Sequence, residues 1–256
     1  MLCDNKLSKR TIGWSIGCCV LSLCVLSVSF ASGIPAPAKR WMKRADQLNK
    51  GYSHKAKRKA AKAWLKAHEL APDRFETMVA AARACNMLAN TSKRKAEIKR
   101  WGKRGWALAK KIKKRWPKRA EGYFWAAVNA GQYARGGGVW VAISKGLAAE
   151  VEKMCRASLK RNKHLYKGAA QKVLGRYYFR LPWPMRKLQR SLKYLNQARK
   201  LAPNDPSVLR FLADVYKYQG KKAKATTFYK RCARMFKKGM PHTSHPARCQ
   251  KMLKKM

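Results

Sequence analysis

The spacing of apolar side chains along the chain predicts helices almost throughout. From Lys39 onward, apolar residues recur at intervals of three and four, and no segment shows the period of two expected of a strand. Short breaks, several with a helix-ending proline, make consecutive helices antiparallel neighbours. The predicted fold class is therefore all-α, built of stacked antiparallel helical hairpins. Ten helices are predicted, at 39–51, 54–70, 74–90, 93–115, 119–134, 140–161, 165–180, 186–202, 206–219 and 222–237.

An internal repeat refines this prediction. In the 34-residue tetratricopeptide repeat (TPR), small residues lie where the two helices of a hairpin cross, and a proline closes the unit. A nearly complete unit lies at 205–238, whereas 93–160 fits the period poorly. The repeats predict a TPR-like α-solenoid over residues 39–238. The second-helix pattern occurs twice, as Ala60, Trp64, Ala67 and Pro72, and as Ser191, Leu195, Ala198 and Pro203.

The first 31 residues have the features of a targeting segment. Lys6, Lys9 and Arg10 form a positive region, and an apolar stretch follows over 12–30. It ends in Ser-Phe-Ala, with small residues at the positions that signal peptidase reads. The sequence therefore predicts a signal peptide at 1–31, a linker at 32–38 and export to the periplasm or cell envelope. The apolar stretch is long for a signal peptide, so an uncleaved membrane anchor is the alternative.

The net charge of the chain bears on its partners. Against 61 Lys and Arg stand only 11 Asp and Glu, which gives a formal charge of +50. A surplus of this size requires counter-ions, anionic polymers or acidic partners. Basic residues are dense at 93–119, but they cover the other helices as well. This spread argues against a specific nucleic-acid site and favours contact with anionic envelope polymers or lipids.

Export also bears on the cysteines. Cys85, Cys155, Cys232 and Cys249 lie beyond the targeting segment and would enter an oxidising compartment. Four cysteines allow three pairings. Cys232 and Cys249 are close in sequence and flank a Gly-Met-Pro turn, so a disulfide between them is the favoured prediction. Cys85 and Cys155 are either the second pair or small buried apolar side chains. Residues 239–256 are predicted to be a basic tail.

No arrangement of side chains predicts catalysis. Glu150 and Glu152 lie two apart on a predicted helix, so they point to different faces and cannot form an acid–base pair. His242 and His245 stand near the paired cysteines, but a tail joined by a disulfide is favoured over a metal site there. We expect a protein that is not an enzyme and holds no metal and no cofactor.

Two segments resemble those of a transport-related family. Tyr123-Phe124-Trp125-Ala126 precedes Gly131, and Leu174-Gly175-x2-Tyr178 is followed by Pro182. With the surrounding chain from about 95 to 236, they resemble the T components of tripartite ATP-independent periplasmic (TRAP) transporters, which are envelope TPR proteins. The resemblance implies a trimeric periplasmic scaffold that docks the transporter's solute-binding protein and offers a pore or groove for an apolar ligand.

Aromatic and polar side chains on these helices are the candidate ligand-binding residues. An apolar wall with a few polar ends suits a ligand groove. Stripes at helical spacing are more often core residues packed between hairpins, so core packing is the favoured interpretation of these residues and the ligand groove is the alternative. The candidate residues are Trp125, Asn129, Tyr133, Trp140, Arg176, Tyr177 and Trp183.

These observations lead to one functional prediction and one alternative. The prediction is an envelope TPR scaffold of the T-component type, which binds a periplasmic solute-binding protein and an apolar ligand. The alternative is a general TPR adaptor for anionic envelope polymers or acidic proteins.

The targeting segment gives a direct test. We expect cleavage after Ala31, so N-terminal sequencing of protein from the envelope fraction should begin at Ser32. Protein that still begins at Met1 in that fraction would contradict cleavage and support the membrane anchor.

Overall fold

The computed structural model describes residues 33–256, apart from the side chains of Val139 and Ile143. The predicted targeting segment 1–31 lies outside these residues. The described part contains helices and no strand, which confirms the all-α prediction. No helix within it is long and apolar enough to cross a membrane. The helices are α1 (Ala36–Asn49), α2 (His54–Leu70), α3 (Phe75–Thr91), α4 (Lys95–Arg115), α5 (Ala120–Ser144), α6 (Leu147–Arg161), α7 (Ala169–Arg180), α8 (Leu188–Leu201), α9 (Pro206–Tyr218), α10 (Lys222–Ala233) and α11 (His245–Leu253), with a 3-10 turn at Leu165–Lys167.

Consecutive helices pair as hairpins. α1 packs on α2, α3 on α4, α5 on α6, α7 on α8 and α9 on α10, and α11 packs against both α10 and α9. Contacts between alternate helices join α1 to α3, α3 to α5 and α7 to α9, which are all odd-numbered. Because the odd-numbered helices lie closest to one another, they form the inner side of the stack and the even-numbered helices form its outer side.

Small side chains mediate the helix crossings, as the repeat pattern predicts. Ala60 and Ala67 on α2 and Ala198 on α8 are fully buried. Ser191 on α8 is also buried, and its hydroxyl donates a hydrogen bond of 2.7 Å to the carbonyl oxygen of Gly175 on α7. The first and fourth hairpins therefore bury alanine or serine on their second helices, where a larger side chain would hold the helices apart.

The closest helix packing joins α4 to α5. A Cβ atom built on Gly102 of α4 would lie 2.7 Å from the Cα of Tyr133 and 2.8 Å from the carbonyl carbon of Gln132, both on α5. A Cβ on Gly136 of α5 would lie 2.7 Å from the Cα of Lys99 on α4. Backbone meets backbone at these points, and only glycine allows that approach. This contact joins the second hairpin to the third.

Three features differ from the sequence-based expectation. The helix predicted at 140–161 is interrupted at 145–146, so residues 140–144 belong to α5 and α6 begins at Leu147. α5 was predicted to end at 134, but it continues through Gly136, which packs on α4, and bends at Gly138, where φ is 83°. The predicted basic tail contains α11, whose N-cap Ser244 accepts a hydrogen bond from the backbone N–H of Ala247. Pro246 and Cys249 of α11 are buried. Packing against α9 and α10 thus folds a segment whose composition resembles a solvated tail.

Cys232 and Cys249 form a disulfide that fastens α11 to α10, with Cα atoms 6.1 Å apart. Cys85 and Cys155 are free thiols buried in the core. Burial raises the pKa of Cys85 to about 12, and it also raises the pKa of Cys155. Both thiols therefore stay protonated at neutral pH. Export to the oxidising compartment in which such a disulfide persists stays a prediction.

The α4–α5 contact can be tested by replacing one glycine. Gly102→Ala should lower the free energy of unfolding by about 1–3 kcal/mol, because its Cβ meets backbone that cannot rotate away. Urea unfolding followed by circular dichroism measures this change.

Gly131 on α5 is the matched control, because a Cβ there would meet only the Cγ2 of Val151, at 3.8 Å. Gly131→Ala should raise stability by about 0.5–1 kcal/mol through helix propensity. Equal effects of the two substitutions would show that backbone approach does not limit α4–α5 packing.

Candidate functional site

The candidate ligand-binding residues do not converge on one cavity. Trp125, Asn129 and Tyr133 of α5 are buried in the core. The side chains of Trp140 and Trp183 are each 84% exposed. Arg176 and Tyr177 of α7 are partly buried, and Tyr177 packs against the same apolar cluster as Tyr133. The structure thus brings together Tyr133 and Tyr177 and leaves both exposed tryptophans at the surface.

Asn129 joins three helices. Its Nδ2 donates hydrogen bonds to the carbonyl oxygens of Ala82 on α3, at 3.1 Å, and of Trp125 on α5, at 2.9 Å. Gly105 of α4 faces the amide, and a Cβ at Gly105 would come within 2.5 Å of the Asn129 Cγ. The amide fills the space that glycine leaves, so the contacts of Asn129 are those of a core residue.

Trp125 belongs to an aromatic group that reaches the surface. Its Nε1 donates to the hydroxyl of Tyr166 at 3.3 Å, and both rings pack on Phe124. Tyr166 and Lys167 adopt left-handed backbone conformations, with φ of 46° and 54°. These cost a residue other than glycine roughly 1–2 kcal/mol each. The contacts with Trp125 and Phe124 oppose that cost and hold a half-exposed tyrosine in place.

Arg176 takes part in an ion cluster on the inner side of the stack. Its guanidinium donates to the Asp214 carboxylate of α9 at 2.7 Å, and Arg210 donates to the same oxygen at 3.4 Å. The Tyr229 hydroxyl donates to the other oxygen at 2.8 Å. Arg210 Nε also donates to His245 Nδ1 at 2.7 Å. We call Arg176, Arg210, Asp214, Tyr229 and His245 the inner cluster.

The inner cluster carries more positive than negative charge. Burial lowers the pKa of His245 to about 3, and neighbouring Arg210 adds to this effect, so the imidazole is neutral at pH 7. Burial lowers the pKa of Arg210 to about 10, against the opposing effect of Asp214, so its guanidinium stays charged. Two guanidinium groups therefore share one carboxylate. An incoming carboxylate would restore charge balance there.

Sequence reasoning named Arg176 but missed the rest of the inner cluster. Asp214 is the sole acidic residue between 206 and 256, and such isolation within a basic stretch is a signal that could have singled it out. His245 was weighed as a metal ligand, whereas the structure pairs it with Arg210. Within residues 33–256, no group of His, Cys, Asp and Glu is arranged to hold a metal ion.

A separate groove of about 440 Å³ opens between α6, α7 and α8. Half-buried leucines line it together with exposed lysines and a histidine. None of the candidate ligand-binding residues lines it. The lining residues are Leu159, Lys163, His164, Gln171, Gln197, Lys200 and Leu201.

Comparison with known proteins identifies the architecture. No protein-family model and no curated protein sequence matches the chain. Among solved structures, it is similar to a thermophilic TPR protein of Thermus thermophilus, with a TM-score of 0.63 and 17% identity over 84% of this chain and 98% of that one. The MamA protein (TM-score 0.44, 13% identity, 77% and 90% coverage) and the Cut9–Hcn1 assembly of the APC/C (TM-score 0.46, 13% identity, 85% and 42% coverage) are more distant. The fold is a TPR-type helical solenoid.

The different environments of the tryptophans predict different effects on stability. Trp125→Ala should lower the free energy of unfolding by roughly 3–5 kcal/mol, because it empties a core position and removes a hydrogen bond. Trp140→Ala and Trp183→Ala should each change it by less than about 0.5 kcal/mol. Urea titrations of the three variants provide the test. A large loss of stability in either surface variant would contradict the exposed positions of Trp140 and Trp183.

Proposed function

We propose that this chain is a helical-repeat adaptor that binds an acidic protein through the inner side of its stack. The observation that carries the proposal is the inner cluster, in which two largely buried arginines share the carboxylate of Asp214. A carboxylate from a partner would find two guanidinium forks already oriented by α7 and α9. Stacked hairpins also offer an extended concave surface that suits a protein partner.

The charge of the whole chain supports the same partner chemistry. With 61 basic and 11 acidic residues, the chain attracts acidic surfaces over distances comparable to the Debye length, about 8–10 Å at physiological salt. Such attraction mainly accelerates association, while local contacts determine specificity. In this proposal, the positive charge spread over the chain attracts the partner, and the inner cluster orients it.

The resemblance to T components of TRAP transporters suggests which partner to test first. We propose a solute-binding protein with an acidic surface, encountered in the periplasm or cell envelope. The trimer implied by the resemblance belongs to the same proposal. An apolar ligand has less support, because Trp125 Nε1 and Asn129 Nδ2 already donate to the Tyr166 hydroxyl and the Ala82 carbonyl oxygen.

The side chains support binding rather than catalysis. The buried thiols of Cys85 and Cys155 have raised pKa values and cannot serve as thiolate nucleophiles at neutral pH. His245 has a strongly lowered pKa, and its Nδ1 accepts the Arg210 hydrogen bond. These groups are therefore poorly placed for nucleophilic or acid–base chemistry.

The test uses the purified protein and the solute-binding protein of a TRAP transporter from the same genome. Calorimetry should detect binding that weakens as salt increases. Arg176→Gln leaves the inner cluster with one guanidinium for one carboxylate, so we expect about tenfold weaker binding, equivalent to about 1.4 kcal/mol.

Lys193→Gln is the matched control, because it removes the same charge from an exposed position on α8, at the outer side. It should weaken binding by less than about twofold. Equal losses of affinity in the two variants would show that binding depends on general electrostatic attraction rather than on the inner cluster. Tight binding to heparin or lipopolysaccharide without binding to the solute-binding protein would favour the alternative function, in which the chain is an adaptor for anionic polymers.

A further inference from the structure

Most of the exposed aromatic side chains in residues 33–256 lie at one edge of the solenoid, whereas Tyr166 lies at the other. In a stack of antiparallel hairpins, the turns within hairpins lie along one edge and the turns between hairpins lie along the other. The turns within hairpins are 50–53, 92–94, 145–146, 181–187 and 219–221. Large exposed side chains at or near these turns are Tyr52, Trp140, Trp183, Met185 and Tyr218. We call the last four the aromatic edge.

Direct contacts join two hairpins along this edge. The rings of Phe179 on α7 and Tyr218 on α9 meet edge to face at 5.9 Å. The Arg186 guanidinium, in the 181–187 turn, lies 4.5 Å from the centre of the Tyr218 ring and 5.6 Å from that of Phe179. Its Nε donates to the carbonyl oxygen of Leu181, which fixes the turn. The fourth and fifth hairpins therefore present one continuous aromatic and cationic surface.

The aromatic edge lies in a part of the chain with few acidic residues. There is no Asp or Glu at 153–204 or at 215–256, so neither the 181–187 turn nor the 219–221 turn contains one. Cations surround these turns, including Arg180, Lys187, Lys217, Lys221 and Lys222. At the opposite edge, carboxylates pair with some of the cations, in Arg115–Asp73, Arg119–Glu121 and Lys172–Asp205. The charge at the 181–187 and 219–221 turns is thus less compensated, whereas the 92–94 turn of the same edge has the Arg58–Glu97 pair.

We propose that the aromatic edge binds the surface of an anionic lipid bilayer. Trp and Tyr rings have an apolar body and a polar tip, which suits the boundary between headgroups and acyl chains. Lysine and arginine beside them interact with anionic headgroups. Protein partners favour anchors that fill well-packed pockets. Trp140 and Trp183 instead protrude, with 84% of each side chain exposed, and a soft interface can receive such side chains.

This proposal is independent of the adaptor function, because the inner cluster and the aromatic edge lie on different parts of the solenoid. The inner cluster lies where α7, α9, α10 and α11 meet, while the aromatic edge follows the ends of the hairpins. A protein seated on the bilayer by this edge could still present the inner side of its stack to a partner in solution.

The experiment uses the chain from Ser32 onward, which contains the compact unit Ile34–Met256 and lacks the apolar segment that would itself enter a bilayer. Flotation with vesicles of equal phosphatidylglycerol and phosphatidylcholine measures the partition coefficient. We expect binding that falls by about tenfold or more in pure phosphatidylcholine vesicles. The double variant Trp140→Ser/Trp183→Ser should weaken binding to the anionic vesicles by about tenfold or more.

A charge comparison separates the aromatic edge from the general charge of the chain. Lys187→Glu/Lys222→Glu reverses two cations at the aromatic edge and should weaken binding by more than about tenfold. Lys118→Glu/Lys163→Glu changes the net charge equally at the opposite edge and should weaken it much less. Leu70→Ser is the apolar control, since this exposed leucine lies at the opposite edge. Circular dichroism checks that all variants fold.

Three outcomes would overturn the proposal. The first is no binding of the unmodified chain to anionic vesicles. The second is an equal loss in the two charge variants, which would assign binding to overall charge. The third is unchanged vesicle binding in the tryptophan variant together with weakened binding to an acidic protein. That result would identify the aromatic edge as a protein-binding surface.

Discussion

The backbone contact between α4 and α5 is the constraint on which the rest of the solenoid depends. Gly102 and Gly136 bring two main chains together, and Gly105 leaves space for Asn129. The Asn129 amide then reaches the carbonyl oxygen of Ala82, which ties α3 into the same contact. Because the second and third hairpins are joined here, this contact holds the earlier hairpins against the later ones. The segment that fits the repeat period least well is therefore the segment where the stack is packed most closely.

Local sequence signals account for much of this fold. Prolines and helical spacing located most helices, and the small residues of the repeat pattern are buried where that pattern predicts them, as at Ala60 and Ala198. The errors have tertiary causes. A glycine triplet ordinarily indicates a break, but α5 continues through Gly136 because α4 packs against it. α11 was missed because its apolar face is short and gains its stability from α9 and α10 rather than from its own sequence.

The candidate site depends even more on tertiary packing than the helices do. Helical spacing shows which side chains share a face, but not whether that face meets another helix or solvent. Trp125 and Trp140 have the same side chain on the same helix, yet one is in the core and the other stands beyond the bend at Gly138. Arg176 was recognised as a polar end, but its partner Asp214 lies two helices away. Only the packing of α7 on α9 brings them together.

Because several donors share Asp214, the C-terminal end of the molecule is sensitive to loss of this one carboxylate. Donors from α7, α9 and α10 converge on this carboxylate, and His245 extends the network to α11 through Arg210. A stretch so rich in cations has no second acid between 206 and 256 to substitute for it. Neutralising Asp214 would leave two guanidinium groups repelling each other across the joint between adjacent hairpins. The electrostatic attachment of the last three helices thus depends on Asp214 and on the Lys172–Asp205 pair at the start of α9, although its apolar contacts are numerous.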